Sequence, residues 1–247
     1  MGRLADGFAD AARACVDLPQ LRALLAEAAH ELGFDHFALL HHASLSTRQS
    51  ALVRIDNYPQ SWAREFRRRR LAASDPVHLA SRRTNVGFCW SELRALVNLE
   101  RKHCDIIDRS RHHGIGEGFT VPANVPGEPS ASCSFAMRAG RDLPARRLRS
   151  AELVGAHALC AARRIYAART RAQPPHLSRR QVDCLRLVAV GKTDWEIARI
   201  LGLSVDTAHQ YVKSARGAYD VVSRTQLVVY GLRDNWISFE DAIPSDG

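Results

Sequence analysis

The 247-residue sequence lacks paired cysteines. None of its six (Cys15, Cys89, Cys104, Cys133, Cys160 and Cys184) lies in a C-x-x-C pair or at metal-ligand spacing to a histidine. Neither a disulfide framework nor a metal site is expected, and the thiols are read as buried and reduced. Long apolar runs are missing too. Residues 1–20 alternate charge with small apolar residues, so neither a signal peptide nor a membrane anchor is expected, and the chain reads as soluble and cytoplasmic with no membrane partner. No internal repeat, low-complexity tract, zinc motif or G-x-S-x-G elbow stands out. An enzyme is therefore disfavoured, and no catalytic residue or cofactor is named. Acidic charge is in deficit as well, 26 Asp+Glu against 35 Lys+Arg, for a formal charge of +9. Such an excess suggests a polyanionic partner, nucleic acid before a membrane surface.

What remains is a well-stocked interior, with 46% hydrophobic residues, enough for packed cores rather than disorder. The basic excess is uneven: residues 1–170 carry 25 Lys+Arg against 17 Asp+Glu, whereas residues 171–247 carry 10 against 9. A polar stretch with a Pro-Pro pair, 169–176, ends a long helical pattern, because proline cannot continue the helix. Two domains are expected, 1–168 and 177–247, joined by a linker at 169–176.

In the first domain, the apolar spacing predicts helices at Leu18–Leu32, 59–70, 76–82, 98–113 and 148–169. Strands are expected at His36–Ala43, Ala51–Ile55, 85–90, 118–124 and 131–138, with a polar turn at Ser44–Ser50. Helices before, between and after antiparallel strands predict a sheet covered on both faces. In the second domain, Ser178 with Gln181, Thr193 with Glu196 and Ser223 with Gln226 form capping boxes, and Ser204 is an N-cap serine. Gly202-Leu203-Ser204 makes a tight turn between two short helices, a helix-turn-helix pattern. Ala208, Val212, Ala215 and Tyr219 form an apolar stripe on the helix from Val205. Asp206, His209, Gln210, Lys213 and Arg216 take its other face, where amides and cations can reach bases and phosphates.

The segments LSRRQVDCL (177–185), GKTDWEIA (191–198) and LGLSVDTA (201–208) together resemble the four-helix DNA-binding domain of LuxR-type transcription regulators. Gln181, Ala208 and Tyr211 replace the usual Glu, Val and His. Gly217 costs the third helix on the order of 1 kcal/mol relative to alanine. The DNA contacts expected are Lys192, Thr193, Thr207, His209, Gln210, Lys213 and Arg216. Of these, His209, Gln210 and Lys213 are assigned to bases, and Lys192, Thr193 and Arg216 to phosphates.

In the first domain, Tyr58, Trp62 and Phe66 recur every four residues, a pattern that suits a core stripe. Asp75 before Pro76 suits a helix cap. Together with Trp90 and Gly118, however, these residues resemble the pocket of the LuxR-type autoinducer-binding domain over residues 15–165. The resemblance implies an α-β-α sandwich with an antiparallel sheet, in an α+β chain whose second domain is all-α. It implies an N-acyl-homoserine lactone ligand: Trp62 donates to the lactone carbonyl, Tyr58 to the amide carbonyl, and Asp75 accepts the amide N–H. Trp90 and Phe66 would wall the ring and chain, beside Pro76, and either Cys133 or Ser134 would touch the acyl chain, with Ser134 chosen. Phe66 replaces the usual Tyr, which opens a non-lactone ligand as an alternative. Gly118 serves backbone approach rather than ligand contact.

The function so implied is ligand-responsive regulation of transcription in quorum sensing. A homodimer, with helix 148–169 as one candidate seam, would bind a near-palindromic operator on double-stranded DNA, and RNA polymerase is a candidate further partner. A ligand-independent regulator is the alternative. A lactone-processing enzyme fits less well, since the single pocket carboxylate has no evident partner base.

Overall fold

The computed structural model describes residues 2–42, 53–125, 128–170 and 174–243. The expected turn at Ser44–Ser50, with Ala43 and residues 51–52 of the expected strands, lies outside the described residues, as do residues 171–173 of the expected linker. The chain forms two compact units, Met1–Val125 with Pro129–Thr170, and a second that contains Arg171–Gly247. Among the described residues, no helix is long and apolar enough to cross a membrane.

The first unit runs α1 (Gly2–Ala14), α2 (Leu18–Glu31), β1 (His36–His41), β2 (Arg54–Asp56), α3 (Gln60–Arg68), α4 (Pro76–Ser81) and β3 (Phe88–Cys89). It continues through α5 (Leu93–Leu96), α6 (Arg101–His112), β4 (Ile115–Ala123), β5 (Ala131–Arg138) and α7 (Leu148–Thr170). The strands form one antiparallel sheet in the order β2-β1-β5-β4-β3. Side chains alternate across a strand, so the pairing of β5 with β1 and β4 decides which residues share a face. Cys133, paired with Leu39 and Val121, joins Phe135 and Met137 in the main core with residues of α1, α2 and α7. Ser134, paired with Ala38 and Thr120, belongs to the opposite face, which α3, α4 and α6 cover.

Helix starts follow local chemistry. Asp17 accepts from the Gln20 amide at 2.9 Å and so starts α2, with Pro19 in its first turn. The helix expected over 59–70 begins only at Gln60, because Pro59 keeps Tyr58 out of helical backbone. Tyr58 is therefore on the approach to α3 rather than on its face. Helix α7 buries Leu159, Ala162 and Ile165 within the unit but leaves Leu153 and Ala156 exposed. Most of its apolar stripe is therefore intramolecular. Beside those two, Cys160 is exposed on the outer face of α7, and Cys89 and Cys104 are half-buried, which corrects the expectation that all six thiols are buried.

The second unit contains α8 (Arg179–Ala189), α9 (Asp194–Leu201), α10 (Val205–Ala218), α11 (Arg224–Arg233) and α12 (Phe239–Ala242). Ser178, Thr193, Ser204 and Ser223 are the N-caps of the first four, and each side chain accepts the amide three residues on. Gln181 keeps its capping box and also donates to Ser214 on α10 at 2.9 Å, a bond that a carboxylate could not donate. Between α9 and α10, Gly202 takes φ 65°, the left-handed conformation that lets the chain turn within three residues. Ala208, Val212, Ala215 and Tyr219 are all buried against Leu185, Ile197 and Leu227. In the tail beyond α11, Ile237 is buried in the same core and Trp236 packs against it.

Candidate functional site

A cavity lies on the face of the sheet that bears Ser134. Tyr58, Trp62 and Phe66 line it from α3 and its approach, Asp75 and Pro76 from the start of α4, and Trp90 from the end of β3. Ser134 completes the expected set from β5, so all seven expected ligand residues share one cavity. The alternative, Cys133, points into the core on the other side of the sheet. Gly118 is absent from the lining, and its role is steric. A Cβ there would come within 2.5 Å of the Trp90 ring, so only glycine lets the indole lie flat on β4.

Polar groups in this cavity are few and specifically placed. Trp90 donates its indole N–H to Thr120 Oγ1 at 2.9 Å, and that hydroxyl shares a 2.8 Å hydrogen bond with Ser134. Neither the Trp62 indole N–H nor the Tyr58 hydroxyl bonds another described residue. Both residues line the cavity, so an acceptor bound there would meet two available donors. Burial first, and then the carboxylates of Asp75 and Asp56, push the Tyr58 phenol well above its ordinary value, so it stays a donor. Asp75 divides its oxygens: Oδ1 caps α4 by accepting from Val77 N at 2.8 Å and His78 N at 3.4 Å, and Oδ2 lies 3.9 Å from the His78 ring. The cap and a place in the cavity belong to the same residue.

Several lining residues escaped the sequence reading, among them Arg54, His78, Ile106 and Ser110. His78 stacks on His42 with ring centroids 4.3 Å apart, and His42 Nε2 meets Ser132 Oγ at 2.8 Å. Its proximity to the aspartate cap, three residues along a helix, was the one local signal available.

In the second unit, Gln210 and Lys213 are exposed on α10, and His209 is 51% exposed. Lys192 Nζ lies 3.2 Å from Glu196, Thr193 caps α9, and the Thr207 hydroxyl bonds Ser204 at 2.7 Å. Arg216 also makes a bond within its own unit. It is half-buried and donates to the Val222 carbonyl at 2.7 Å, closing the turn after α10. Asp194, absent from the expected contacts, accepts from His209 Nδ1 at 2.9 Å and from Arg224 at 2.6 Å.

Residues 17–166 match the autoinducer binding domain family, and residues 175–231 match the family described as bacterial regulatory proteins, luxR family. The chain belongs to the LuxR family of transcription regulators. This LuxR-family chain is 27% identical over 193 residues to the transcriptional activator protein CarR of Pectobacterium carotovorum, covering 73% of this chain and 78% of that one. It is 26% identical over 184 residues to y4qH of Sinorhizobium fredii, an HTH-type regulator; the match covers 74% of this chain and spans only 56% of that protein's length. Among solved structures, Escherichia coli SdiA in complex with octanoyl-rac-glycerol superposes with a TM-score of 0.72 at 21% identity, covering 93% of each chain. The LuxR-family fold is thus an α-β-α sandwich with an antiparallel sheet, followed by a helical DNA-binding domain. The family consists of regulators, not enzymes, with a small-molecule site in the first domain and a DNA site in the second.

Proposed function

We propose that the chain is a quorum-sensing receptor that binds an N-acyl-homoserine lactone in the cavity and, as a homodimer in the cytoplasm, a near-palindromic operator. The observation that carries this reading is the pairing of two donors that bond no other described residue, Trp62 and Tyr58, with one carboxylate, Asp75, around a mostly apolar cavity. An amide-lactone head offers two carbonyl acceptors and one N–H, which is the complement of that set. Trp62 would hold the lactone carbonyl, Tyr58 the amide carbonyl, and Asp75 the amide N–H, while Phe66, Trp90 and Pro76 would wall the ring and chain. Ser134 would meet an oxygen on the acyl chain. Ligand burial would stabilise the receptor by mass action, and Leu153, Ala156 and Cys160 on α7 offer a candidate seam between copies. DNA contact would fall to Lys192, Thr193, Thr207, His209, Gln210, Lys213 and Arg216, with RNA polymerase engaged downstream, as the activator names of relatives such as CarR suggest.

A thermal-shift series tests the reading. An acyl-homoserine lactone should raise the melting temperature by several degrees, and Asp75→Asn should remove that rise. Asparagine keeps an N-cap acceptor for α4, so this variant separates ligand loss from helix loss. No shift with any lactone would sink the lactone assignment. Phe66 supports a second reading, a ligand without the lactone ring, because it lacks the hydroxyl usual at that position. Mass spectrometry of the co-purified small molecule discriminates the two.

A further inference from the structure

Three helices of the second unit meet at one carboxylate. Asp194 is the first residue of α9; its Oδ2 lies 2.9 Å from His209 Nδ1 on α10, and its Oδ1 lies 2.6 Å from Arg224 Nη1 on α11. Arg224 is fixed in turn by donating Nη2 to the Lys192 carbonyl at 2.6 Å. Although burial alone would raise it, the hydrogen bonds from His209 and Arg224 hold the Asp194 carboxyl below the usual carboxylate value. Asp194 is therefore ionised at neutral pH. An ionised carboxylate only accepts, so the proton of a neutral His209 sits on Nδ1. The other ring nitrogen, Nε2, belongs to a side chain that is 51% exposed, on the helix that also exposes Gln210 and Lys213.

We propose that Asp194, clamped by Arg224, is a positioning residue for DNA readout, which locks the His209 tautomer and makes Nε2 a contact whose sense depends on protonation. The inference rests on α10 being the DNA-reading helix. With the ring neutral, Nε2 can only accept, which suits an adenine or cytosine amino group. With the ring charged, Nε2–H donates, which suits guanine N7 or O6, or a phosphate. Charged groups from several elements surround the ring. Asp194 from α9 carries one negative charge and Arg224 from α11 one positive, while Lys192 in the preceding turn is paired with Glu196. Asp206 and Lys213 lie one turn to either side on α10 itself. Protonation of His209 thus adds one net positive charge to a surface that faces a polyanion.

The sign follows by linkage. Where Nε2 meets guanine or a phosphate, DNA favours the protonated ring and affinity falls as pH rises; where it accepts from an adenine or cytosine amino group, the sign reverses. Either change is at most about tenfold per pH unit for each His209 engaged. The full chain would be titrated by fluorescence anisotropy between about pH 5 and about pH 8 against a duplex selected from a random library by the wild-type protein. His209→Gln should bind with the pH slope removed, and Asp194→Asn, checked for an unchanged thermal melt, should move the slope to lower pH. An unchanged slope in His209→Gln overturns the proposal. An unchanged profile in folded Asp194→Asn removes the positioning role. Failure of the wild type to select any duplex at any pH would instead remove the DNA-reading assignment of α10, and the proposal with it.

Discussion

The two faces of the β-sheet are made from the same strands yet differ in kind. Toward α1, α2 and α7, strand β5 presents Cys133, Phe135 and Met137, each at most 2% exposed, into a continuous apolar core. Toward α3, α4 and α6 it presents Ser132, Ser134 and Ala136, with two hydroxyls that bond His42 and Thr120 on the side of the cavity. One face is optimised for packing density, and the other gives up that density to keep polar groups available. Packing stability therefore concentrates on the first face, while the second is the one proposed to select the ligand.

That division can be broken deliberately. Phe135→Ala on the packed face should cost about 3–5 kcal/mol in urea unfolding, without changing which ligand the protein prefers; a cost under about 1 kcal/mol would show that this face is looser than described. Gly118→Ala on the cavity face pushes a methyl against the Trp90 ring, 2.5 Å away. It should cost about 1–3 kcal/mol but abolish the ligand-induced thermal shift, the reverse ranking of effects. The smallest effect concerns His42. Burial first, and then His78, Arg82 and His41, push its pKa down to about 2. The unfolded chain binds that proton near pH 6.5, so the stability from a neutral His42 is fully present above that value. It declines as pH falls, by at most about 1.4 kcal/mol per unit. Urea melts at about pH 7 and about pH 5.5 should show this loss, and His42→Gln should reduce it. Equal losses in both proteins would place the acid sensitivity elsewhere.

Legibility in the sequence followed the range of the forces. The starts of α8 to α11 were readable because each rests on a serine or threonine and the three residues after it. The extent of β5 was readable as well, Ala131–Arg138 against an expected 131–138. Its facing was not assigned: Ser132 and Ser134 alternate with Cys133, Phe135 and Met137, but both sides of the strand are buried, and its pairing with β1 lies far away in sequence. The cavity residues were named through family resemblance, while His78, Arg54 and Ser110 required the packing of α4, β2 and α6 to be known. Helix α1 was missed although Ala5, Phe8, Ala9 and Ala12, all buried, recur at helical spacing, because three of the four are alanines and mark an apolar face only weakly. The Asp194 clamp spans 15 residues to His209 and 30 to Arg224, which no local pattern reports.

The capped helix starts of α8 to α11 carry a consequence for how such a chain is put together. Instructions written within four residues of each start travel with the segment that contains them. A recognition unit specified in this way can be grafted behind different sensors without redesign of its helix boundaries, so the sensor is free to diversify while the reader keeps its shape.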